Sequence, residues 1–374
     1  MRPPGPTSLI KVVSPFILLR RTHNTMGITG SRSARTRSPR PFLFPMAKKY
    51  RNLMAQIVEP DNLREAYRRA RRDKRMTAGH LLFKEHAEAN LALIGRIISE
   101  GSYIVAPYKT FTIFEPKARE IMALPFFDRV VQHALCNVVE PIFDAVLMPM
   151  AAACRTGKGT HYGAIRAQSH MRQLGQSGPV YCLKMDFRKY FANIDRGVLN
   201  REIRRKISCG RTLRLIETIT PPQGCGLPIG NLTSQLWANL YGHMFDRFLV
   251  HSLGVRFATR YMDDTVIFNT DPEQLKAWKV EIDQFVSHEM RLQFSKWSIQ
   301  PVSRGVNFLG YRIWPTHRLL RRDSVQRARR KIKALRSRGD EGALKRFLAA
   351  WTGHASWGDS HNLLNSLRVS AVQP

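Results

Sequence analysis

The spacing of apolar positions predicts helices in the first part of the chain beyond residue 60. Residues 63–74 form an amphipathic segment that Asn62 is placed to cap, and a second amphipathic run covers residues 81–100. The longer apolar segment 124–147 predicts a further helix, which we expect to break near Pro141.

Three segments with short apolar runs predict strands. Residues 110–116 form the first, and the segment 178–187, which opens with Gly178-Pro179, contains a second strand that we expect to be buried. Residues 255–270 contain two β-rich runs on either side of Met262-Asp263-Asp264. This arrangement predicts a hairpin with acidic residues at its turn.

The remaining segments are predicted to be mostly helical. Residues 231–254 predict a long helix that Asn231 or Thr233 caps and Gly254 ends. After Trp314 the chain is basic and helical, over 324–338, 341–355 and a short last segment. Strands and helices are interleaved without strict βαβ alternation, and this order favours an α+β fold.

The first 45 residues differ from the rest of the sequence. They contain no Asp or Glu and are rich in Arg, Ser and Pro, which is typical of a disordered basic tail. The apolar stretch Val12–Leu19 is interrupted by Pro15 and precedes no small-residue cleavage site, so a signal peptide is disfavoured. Translation from Met46 is the alternative interpretation of this segment.

The amino-acid composition indicates what kind of molecule the protein binds. The 374 residues carry a formal net charge of +32, far beyond what solubility requires, and this excess favours a nucleic-acid partner. The five cysteines are scattered without a C-x-x-C pair, as expected of reduced thiols in a cytoplasmic protein rather than of a zinc site or a disulfide framework. No apolar run reaches the roughly 18 residues that a membrane span needs.

Two places put carboxylates on apolar strands. Asp186 ends the buried run, and Asp263 and Asp264 lie at the hairpin turn. Three carboxylates brought together repel one another, and divalent cations relieve that repulsion. Mg²⁺ prefers oxygen ligands, and two such ions about 4 Å apart activate a hydroxyl and stabilise a leaving pyrophosphate. The alternative is that Asp263-Asp264 is only a turn-forming pair.

Tyr261-Met262-Asp263-Asp264 is the signature tetrapeptide of reverse transcriptases, and Asp186-Phe187 resembles the first catalytic block of that family. The resemblance covers about residues 50–374, and its blocks at 113–135, 153–167 and 292–313 follow the family order. It implies a right-hand polymerase whose parts are a basic tail or mis-assigned start (1–45), an N-terminal helical segment (46–110), fingers (111–178), a palm with the catalytic site (179–314) and a helical thumb (315–374).

The resemblance also implies roles at the catalytic centre. Two Mg²⁺ ions, or Mn²⁺ in their place, are expected at the metal site formed by Asp186, Phe187, Asp263 and Asp264. The expected donor of a proton to the leaving pyrophosphate is Lys296. The alternative for Lys296 is a surface lysine without a catalytic role, and the alternative for the acids is the turn-forming pair named above.

Further residues are expected to contact the substrates. The residues that the resemblance assigns to the dNTP site are Lys117, Arg119, Phe191, Ile229, Gly230 and Gln235, with Phe191 as the gate against a 2′-hydroxyl. Those assigned to the template and primer are Arg155, Lys158, Phe308, Leu309 and Gly310. Arginine suits phosphate because its planar group donates two hydrogen bonds at once.

One block departs from the common family pattern. Ile229 lies where most reverse transcriptases have Gln, and Gln235 lies where they have Pro. The form I-G-N-x-T-S-Q, together with residues 308–322 and 348–357, resembles the reverse transcriptases of diversity-generating retroelements. This subfamily implies error-prone copying at template adenines, a template RNA, a cDNA or primer strand, and a small basic accessory protein. An isoleucine removes a directional hydrogen bond from the pocket, and such a pocket tolerates mispairs better.

Other functions stay open at this point. The alternatives within the enzyme class are a retron-like, a group II intron-like or a defence-associated reverse transcriptase, all cytoplasmic and bacterial or phage-encoded. An RNA-dependent RNA polymerase is disfavoured by Phe191. A non-catalytic RNA-binding scaffold is the remote alternative, and the presence of all three acids argues against it.

Overall fold

A computed structural model describes residues 48–114 and 118–372 of the chain, with side chains as far as Ser366. The predicted tail 1–45 and Lys117 lie outside the described residues. The first part of the fold is helical, with α1 (Leu53–Val58), α2 (Pro60–Ala70), α3 (Ala78–Glu85), α4 (Ala87–Glu100) and α5 (Phe126–Asp144).

Two details of these helices correct the sequence prediction. Helix α2 begins at Pro60, because proline is well suited to a first helical position, and Asn62 is not its cap. The Asn62 amide instead donates to the carbonyls of Ile57 (2.8 Å) and Ala134 (3.0 Å) and thereby joins α1 to α5. Helix α5 continues through Pro141, since the proline falls in the last turn, where buried Ile142 and Phe143 still pack into the core.

A two-stranded antiparallel sheet projects between α4 and α5. Strand β1 (Lys109–Ile113) pairs with β2 (Arg119–Ala123), so that Ile113 lies opposite Arg119. Every residue of β1 is exposed, and Phe111 and Phe114 are 46% and 76% exposed. Strand β1 therefore contributes no buried side chain to the hydrophobic core.

A four-stranded antiparallel sheet lies at the centre. Its strands are β3 (Tyr181–Phe187), β4 (Ala258–Tyr261), β5 (Asp264–Asn269) and β6 (Phe294–Pro301), in the order β4-β5-β3-β6. The helices that connect or precede these strands are α6 (Thr160–Gly175), α7 (Tyr190–Asn193), α8 (Arg196–Arg204), α9 (Gly210–Ile219), α10 (Leu232–Arg247) and α11 (Pro272–His288). The predicted buried strand and the predicted hairpin are both confirmed.

The two faces of this sheet belong to two hydrophobic cores, because alternate strand residues point to opposite sides. Leu183, Met185 and Ile267 join the large core that the N-terminal helices, α5 and α10 form. Cys182 and Phe268 join a smaller core with α6 and the following sheet. The acids Asp186 and Asp264 have the parity of the smaller-core face and lie where that face reaches solvent.

The C-terminal part adds a small sheet and three helices. Strands β7 (Val306–Phe308), β8 (Tyr311–Ile313) and β9 (Arg318–Leu320) form an antiparallel sheet. They are followed by α12 (Arg322–Ser337), α13 (Glu341–Ala355) and α14 (His361–Val372). Strand β9 falls inside the segment predicted as a purely helical thumb, and it pairs with β8 of the predicted palm.

Among the described residues, no helix is both long and apolar enough to cross a bilayer.

Candidate active site

Strand pairing places Asp186 opposite Asp264, and Asp263 lies at the adjacent turn. Asp186 is the partner of Asp264 in the antiparallel register of β3 and β5. Between β4 and β5, Met262 adopts the left-handed conformation (φ 53°), which makes a tight turn before Asp263. The backbone N–H of Phe187 donates to the Asp263 carbonyl at 3.2 Å and ties this turn to the end of β3.

A β-bulge in β6 lies beside Asp186 and sets the direction of its side chain. Asp186 pairs with Lys296 of β6, and Phe187 pairs with Phe294, so Ser295 is the extra residue. The Ser295 hydroxyl donates to the Asp186 carboxylate at 2.6 Å. Bulges bend a strand and redirect a side chain, which is how this one fixes the carboxylate. Sequence analysis did not single out Ser295, because a bulge in β6 leaves no sequence pattern of its own.

Asp264 is held by a lysine from the neighbouring strand. The Lys184 ammonium donates to Asp264 Oδ2 at 3.1 Å and to the Asn307 carbonyl at 2.5 Å. The pKa of the Asp264 carboxyl is raised to about 6, chiefly because the group is buried; Lys184 opposes this rise, and the nearby carboxylates of Asp186 and Asp263 add to it. Lys184 was also missed from sequence, although its position two residues before Asp186 places both on one face of β3.

The acids have the chemistry of a divalent-cation site. Asp264 Oδ1 is buried and accepts no hydrogen bond, and such an orphaned oxygen is costly unless a cation or donor reaches it. Oxygen donors from Asp186 and Asp264 at one rung of the sheet are the ligands that Mg²⁺ prefers. Within the part of the chain that the structure describes, no three Asp, Glu, His or Cys side chains are gathered closely enough to hold an ion as they stand. The fit therefore rests on the donor set and on the orphaned oxygen.

The expected part of Phe187 in the metal site stays a prediction that only its main chain can meet. Its ring is buried in the large core and stacks on Phe294 at 4.6 Å and on Tyr190 at 5.3 Å between ring centroids. The side chain therefore cannot face an ion, and only its main chain lies at the acids.

The Ile229-Gly230 turn packs against strand β2 of the β1–β2 hairpin. The backbone N–H of Met122 in β2 donates to the Ile229 carbonyl at 2.8 Å. Gly230 has φ 122°, and a Cβ there would lie 2.9 Å from the Met122 carbonyl oxygen, so only glycine fits. The Ile229 side chain is 37% exposed. Arg119, at the start of β2, is exposed on the same hairpin.

Three further predicted residues surround this region. Phe191 is half-buried in α7, with its ring edge-on to Tyr190 at 6.0 Å. Gln235 is exposed in the first turn of α10, and Lys296 is exposed opposite Asp186. Gln235 and Lys296 thus face solvent, Phe191 does so only in part, and the roles of all three stay predictions.

Among the predicted template residues, Arg155 is not free to bind a phosphate. Its side chain is 7% exposed and forms a salt bridge with Asp144. It also donates to the carbonyls of Met148 (2.8 Å) and Asp144 (3.0 Å). Arg155 therefore organises the loop after α5, contrary to the sequence expectation. Lys158 lies over the Tyr162 ring at 5.4 Å, and burial, followed by the charge of Arg155, lowers its pKa.

The Phe308-Leu309-Gly310 segment forms the β7–β8 turn. Leu309 (φ 52°) and Gly310 (φ 88°) both adopt left-handed conformations, as a two-residue hairpin turn requires. Phe308 is buried, and Leu309 packs on Gly163 of α6, where an added Cβ would lie 2.5 Å from the leucine methyl. Lys184 connects this segment to Asp264 through the Asn307 carbonyl.

Comparisons with known proteins bear on this arrangement. The chain is 24% identical over 230 residues to protein YkfC of Escherichia coli K12, an alignment that covers 50% of this chain and 60% of YkfC. Among solved structures, apo telomerase from Candida tropicalis, truncated from the C-terminal domain, has a TM-score of 0.45 at 12% identity, over 63% of this chain and 60% of that one.

The sequence profile of the family described as reverse transcriptase (RNA-dependent DNA polymerase) matches residues 112–313, more than half of the chain. The match runs from β1 to β8 and includes the three acids. It agrees with the α+β architecture described above, in which helices pack on an antiparallel sheet as in a right-hand polymerase. The chain belongs to the reverse transcriptase family.

Proposed function

We propose that this protein is an RNA-directed DNA polymerase that copies a template RNA into cDNA by two-metal nucleotidyl transfer. The observation that carries the proposal is the pairing of Asp186 with Asp264 at the end of the sheet, beside the turn that bears Asp263. The orphaned Oδ1 of Asp264 supports a cation at this point. Family membership supports the polymerase chemistry.

In this proposal Asp186, Asp263 and Asp264 hold two Mg²⁺ ions, or Mn²⁺ in their place. When bound, such ions acidify the primer 3′-hydroxyl and neutralise charge on the leaving pyrophosphate. The protein's own groups then position the reactants. Ser295 and Lys184 fix two of the carboxylates through the contacts at 2.6 and 3.1 Å.

The remaining residues act on the substrates. Arg119 presents its guanidinium on the exposed hairpin to the triphosphate, and Lys296, opposite Asp186, gives a proton to the pyrophosphate. Phe191, fixed edge-on against Tyr190, excludes a 2′-hydroxyl. The turn at Leu309 and Gly310 supports the primer, and the basic helix α12 follows the template–primer duplex.

We further propose that copying is error-prone and serves a diversity-generating retroelement. Ile229 carries this part, since its partly exposed side chain offers an incoming nucleotide contact area without a hydrogen bond. A site without a directional polar contact discriminates less between correct and incorrect substrates. The proposed partners are a template RNA and a small basic accessory protein, in the cytoplasm of a bacterial cell.

The test is to copy a defined RNA with the purified chain, Mg²⁺ and four dNTPs, with and without the accessory protein, and to sequence the cDNA. An Asp263→Ala variant is the control for contaminating polymerase. We expect the wild type to produce cDNA and the Asp263→Ala variant to produce none. Errors in the wild-type cDNA should be concentrated opposite template adenines.

Faithful cDNA would retain the polymerase and overturn the diversity-generating role in favour of a retron-like or defence-associated one. An absence of cDNA under every condition would overturn the polymerase proposal in favour of a non-catalytic RNA-binding scaffold.

A further inference from the structure

A fully buried ion pair lies behind the turn that bears Asp263. Arg260, the residue before Tyr261 in β4, donates from Nε to Asp246 Oδ1 (2.6 Å) and from Nη2 to Asp246 Oδ2 (2.7 Å). Both side chains are completely buried. The third guanidinium nitrogen, Nη1, donates to the Met262 carbonyl at 3.2 Å. The guanidinium therefore links helix α10 to the turn.

The backbone of the turn is held at two consecutive carbonyls. Arg260 binds the carbonyl of Met262, and the N–H of Phe187 binds the carbonyl of Asp263. Met262 adopts the left-handed conformation at φ 53°, which is unfavourable for a residue with a side chain and persists only where neighbours impose it. The two donors come from different strands, so together they fix the peptide that carries Asp263.

Helix α10 is built to admit the guanidinium. A Cβ at Gly242 would lie 2.4 Å from Arg260 Nη1 and 2.6 Å from its Cζ, so the group passes over the glycine. The main chain of Arg260 is fixed as well, by its N–H to the Met150 carbonyl and by the Ala152 N–H to its own carbonyl, both at 2.9 Å. The donor therefore has little freedom to move away from Met262.

We propose that Arg260 is a positioning residue, which acts through the Met262 carbonyl to hold the turn that presents Asp263 beside Asp186. The inference rests on the proposed role of Asp263 as a metal ligand. Buried ion pairs contribute little net stability compared with apolar pairs of similar size. The bidentate fork and its third hydrogen bond are therefore better explained by the geometry they impose on the turn.

The test compares the wild type with Arg260→Met/Asp246→Leu, which removes both buried charges together. Each protein is followed by thermal melting, by steady-state primer extension on an RNA template, and by Mn²⁺ binding through its electron paramagnetic resonance signal. We expect a folded variant whose kcat falls about 100-fold while the KM for dNTP changes less than about 3-fold, because a small misplacement of a reacting group is costly. Mn²⁺ binding should weaken about 10-fold, since a misplaced carboxylate is a poorer ligand.

A second variant decides the question if the double variant does not fold. Gly242→Ala keeps both charges and suits a helix interior, but its methyl displaces the guanidinium. Gly175→Ala, at a helical glycine with nothing within 4 Å of an added Cβ, is its matched control. We expect kcat to fall for Gly242→Ala and to stay unchanged for Gly175→Ala.

The positioning role would be overturned if the folded double variant kept its kcat within about threefold of wild type, because misplacement of a reacting group should cost more. If the double variant is unfolded, the same criterion applies to Gly242→Ala. An Asp263→Asn variant, measured alongside, separates this result from a failure of the proposed function. If Asp263→Asn keeps its activity and its Mn²⁺ binding, the role of Asp263 is wrong and the inference about Arg260 falls with it. If only Asp263→Asn loses activity, the proposed function stands and Arg260 is merely structural.

Discussion

The central sheet and the β1–β2 hairpin carry two halves of the same proposed site in very different ways. In the central sheet, Asp186 and Asp264 are each bonded to a neighbouring strand, through Ser295 and Lys184. In the hairpin, Arg119 is exposed and forms no side-chain hydrogen bond or ion pair within the described part of the chain, and the rings of Phe111 and Phe114 are exposed as well. One region is preorganised by hydrogen bonds within the chain, and the other exposes apolar side chains of the kind found at binding surfaces.

This difference separates two kinds of function. A carboxylate that must hold a cation gains from rigid neighbours, since small displacements cost much activity. A hairpin that closes on an incoming nucleotide gains from being loosely held. Changes in the sheet should therefore affect the chemical step, and changes in the hairpin should affect substrate binding.

The largest effect is expected for Asp264→Asn. Loss of a cation ligand should reduce kcat by about 1000-fold or more. The fold should survive, because burial raises the pKa of this carboxyl to about 6. A raised pKa means that the folded state favours the protonated form, so the wild type loses stability as pH rises through about 6 and the neutral amide does not. Primer extension and urea unfolding at pH 7.5 measure both effects, and activity above a tenth of wild type would contradict the assignment.

A smaller and different effect is expected for Arg119→Ala in the hairpin. Removal of a bidentate phosphate contact should raise the KM for dNTP about 30-fold, with kcat changed less, because the contact is formed on binding. Thermal stability should stay the same, since the residue is exposed. The control is Lys109→Ala at the far end of the same hairpin, paired with Ala123. Equal changes in KM for both variants would show that the hairpin acts only through its overall charge.

Sequence analysis anticipated the central sheet well, and the reasons are local. A buried strand and a hairpin with acids at its turn follow from apolar runs around a turn. The pairing of Asp186 with Asp264 required only that these strands be neighbours. Helix ends were harder, because Asn62 and Pro141 act through tertiary contacts that no local pattern contains.

The supporting residues could not be predicted for a similar reason. Ser295 depends on a bulge, and Arg260 depends on the glycine of α10 that lies beneath its guanidinium. Arg155 was misassigned because a basic residue next to glycines resembles a phosphate-binding loop in sequence, and only the structure places the Asp144 carboxylate beside it. Charge along a sequence does not indicate whether an acid of the same chain already neutralises it.

An effect of intermediate size is expected at Ile229, whose carbonyl accepts a hydrogen bond from β2 of the hairpin. The Ile229→Gln variant restores a polar side chain next to β2, and we expect misincorporation to fall about 5-fold because a hydrogen bond restricts the pose of the nucleotide. The exposed position should leave thermal stability unchanged. Sequencing of cDNA copied from one RNA by both proteins measures the error rate, and Ile229→Leu is the control for side-chain size. An unchanged error rate in Ile229→Gln would move the source of infidelity elsewhere in the site.

The smallest effect on activity, and a further contrast between the regions, is expected from His243 in α10. This imidazole is buried behind the sheet with an unpartnered Nδ1, and the hairpin segment 109–123 contains no histidine at all. The pKa of His243 is lowered to about 3, chiefly by burial and in smaller part by the positive charges of Arg247, Arg260, Lys206 and His251. The folded state therefore binds fewer protons than the unfolded chain below about pH 6.5, and stability falls as the solution becomes more acidic. Between pH 6.5 and 5 this histidine alone should remove about 2 kcal/mol from the unfolding free energy.

Replacement of His243 by leucine should abolish that share of the pH dependence and leave polymerase activity at pH 7.5 within about twofold of wild type, since no substrate contact is lost. Urea unfolding at pH 7.5, 6.5 and 5 measures the slope, and His288→Leu, at an exposed position of α11, is the surface control. If His243→Leu and His288→Leu unfold with the same pH dependence as the wild type, the imidazole must become charged without cost in the folded state. The core behind the acids would then be more open to water than the central sheet implies, and the contrast with the exposed hairpin would lose its physical basis.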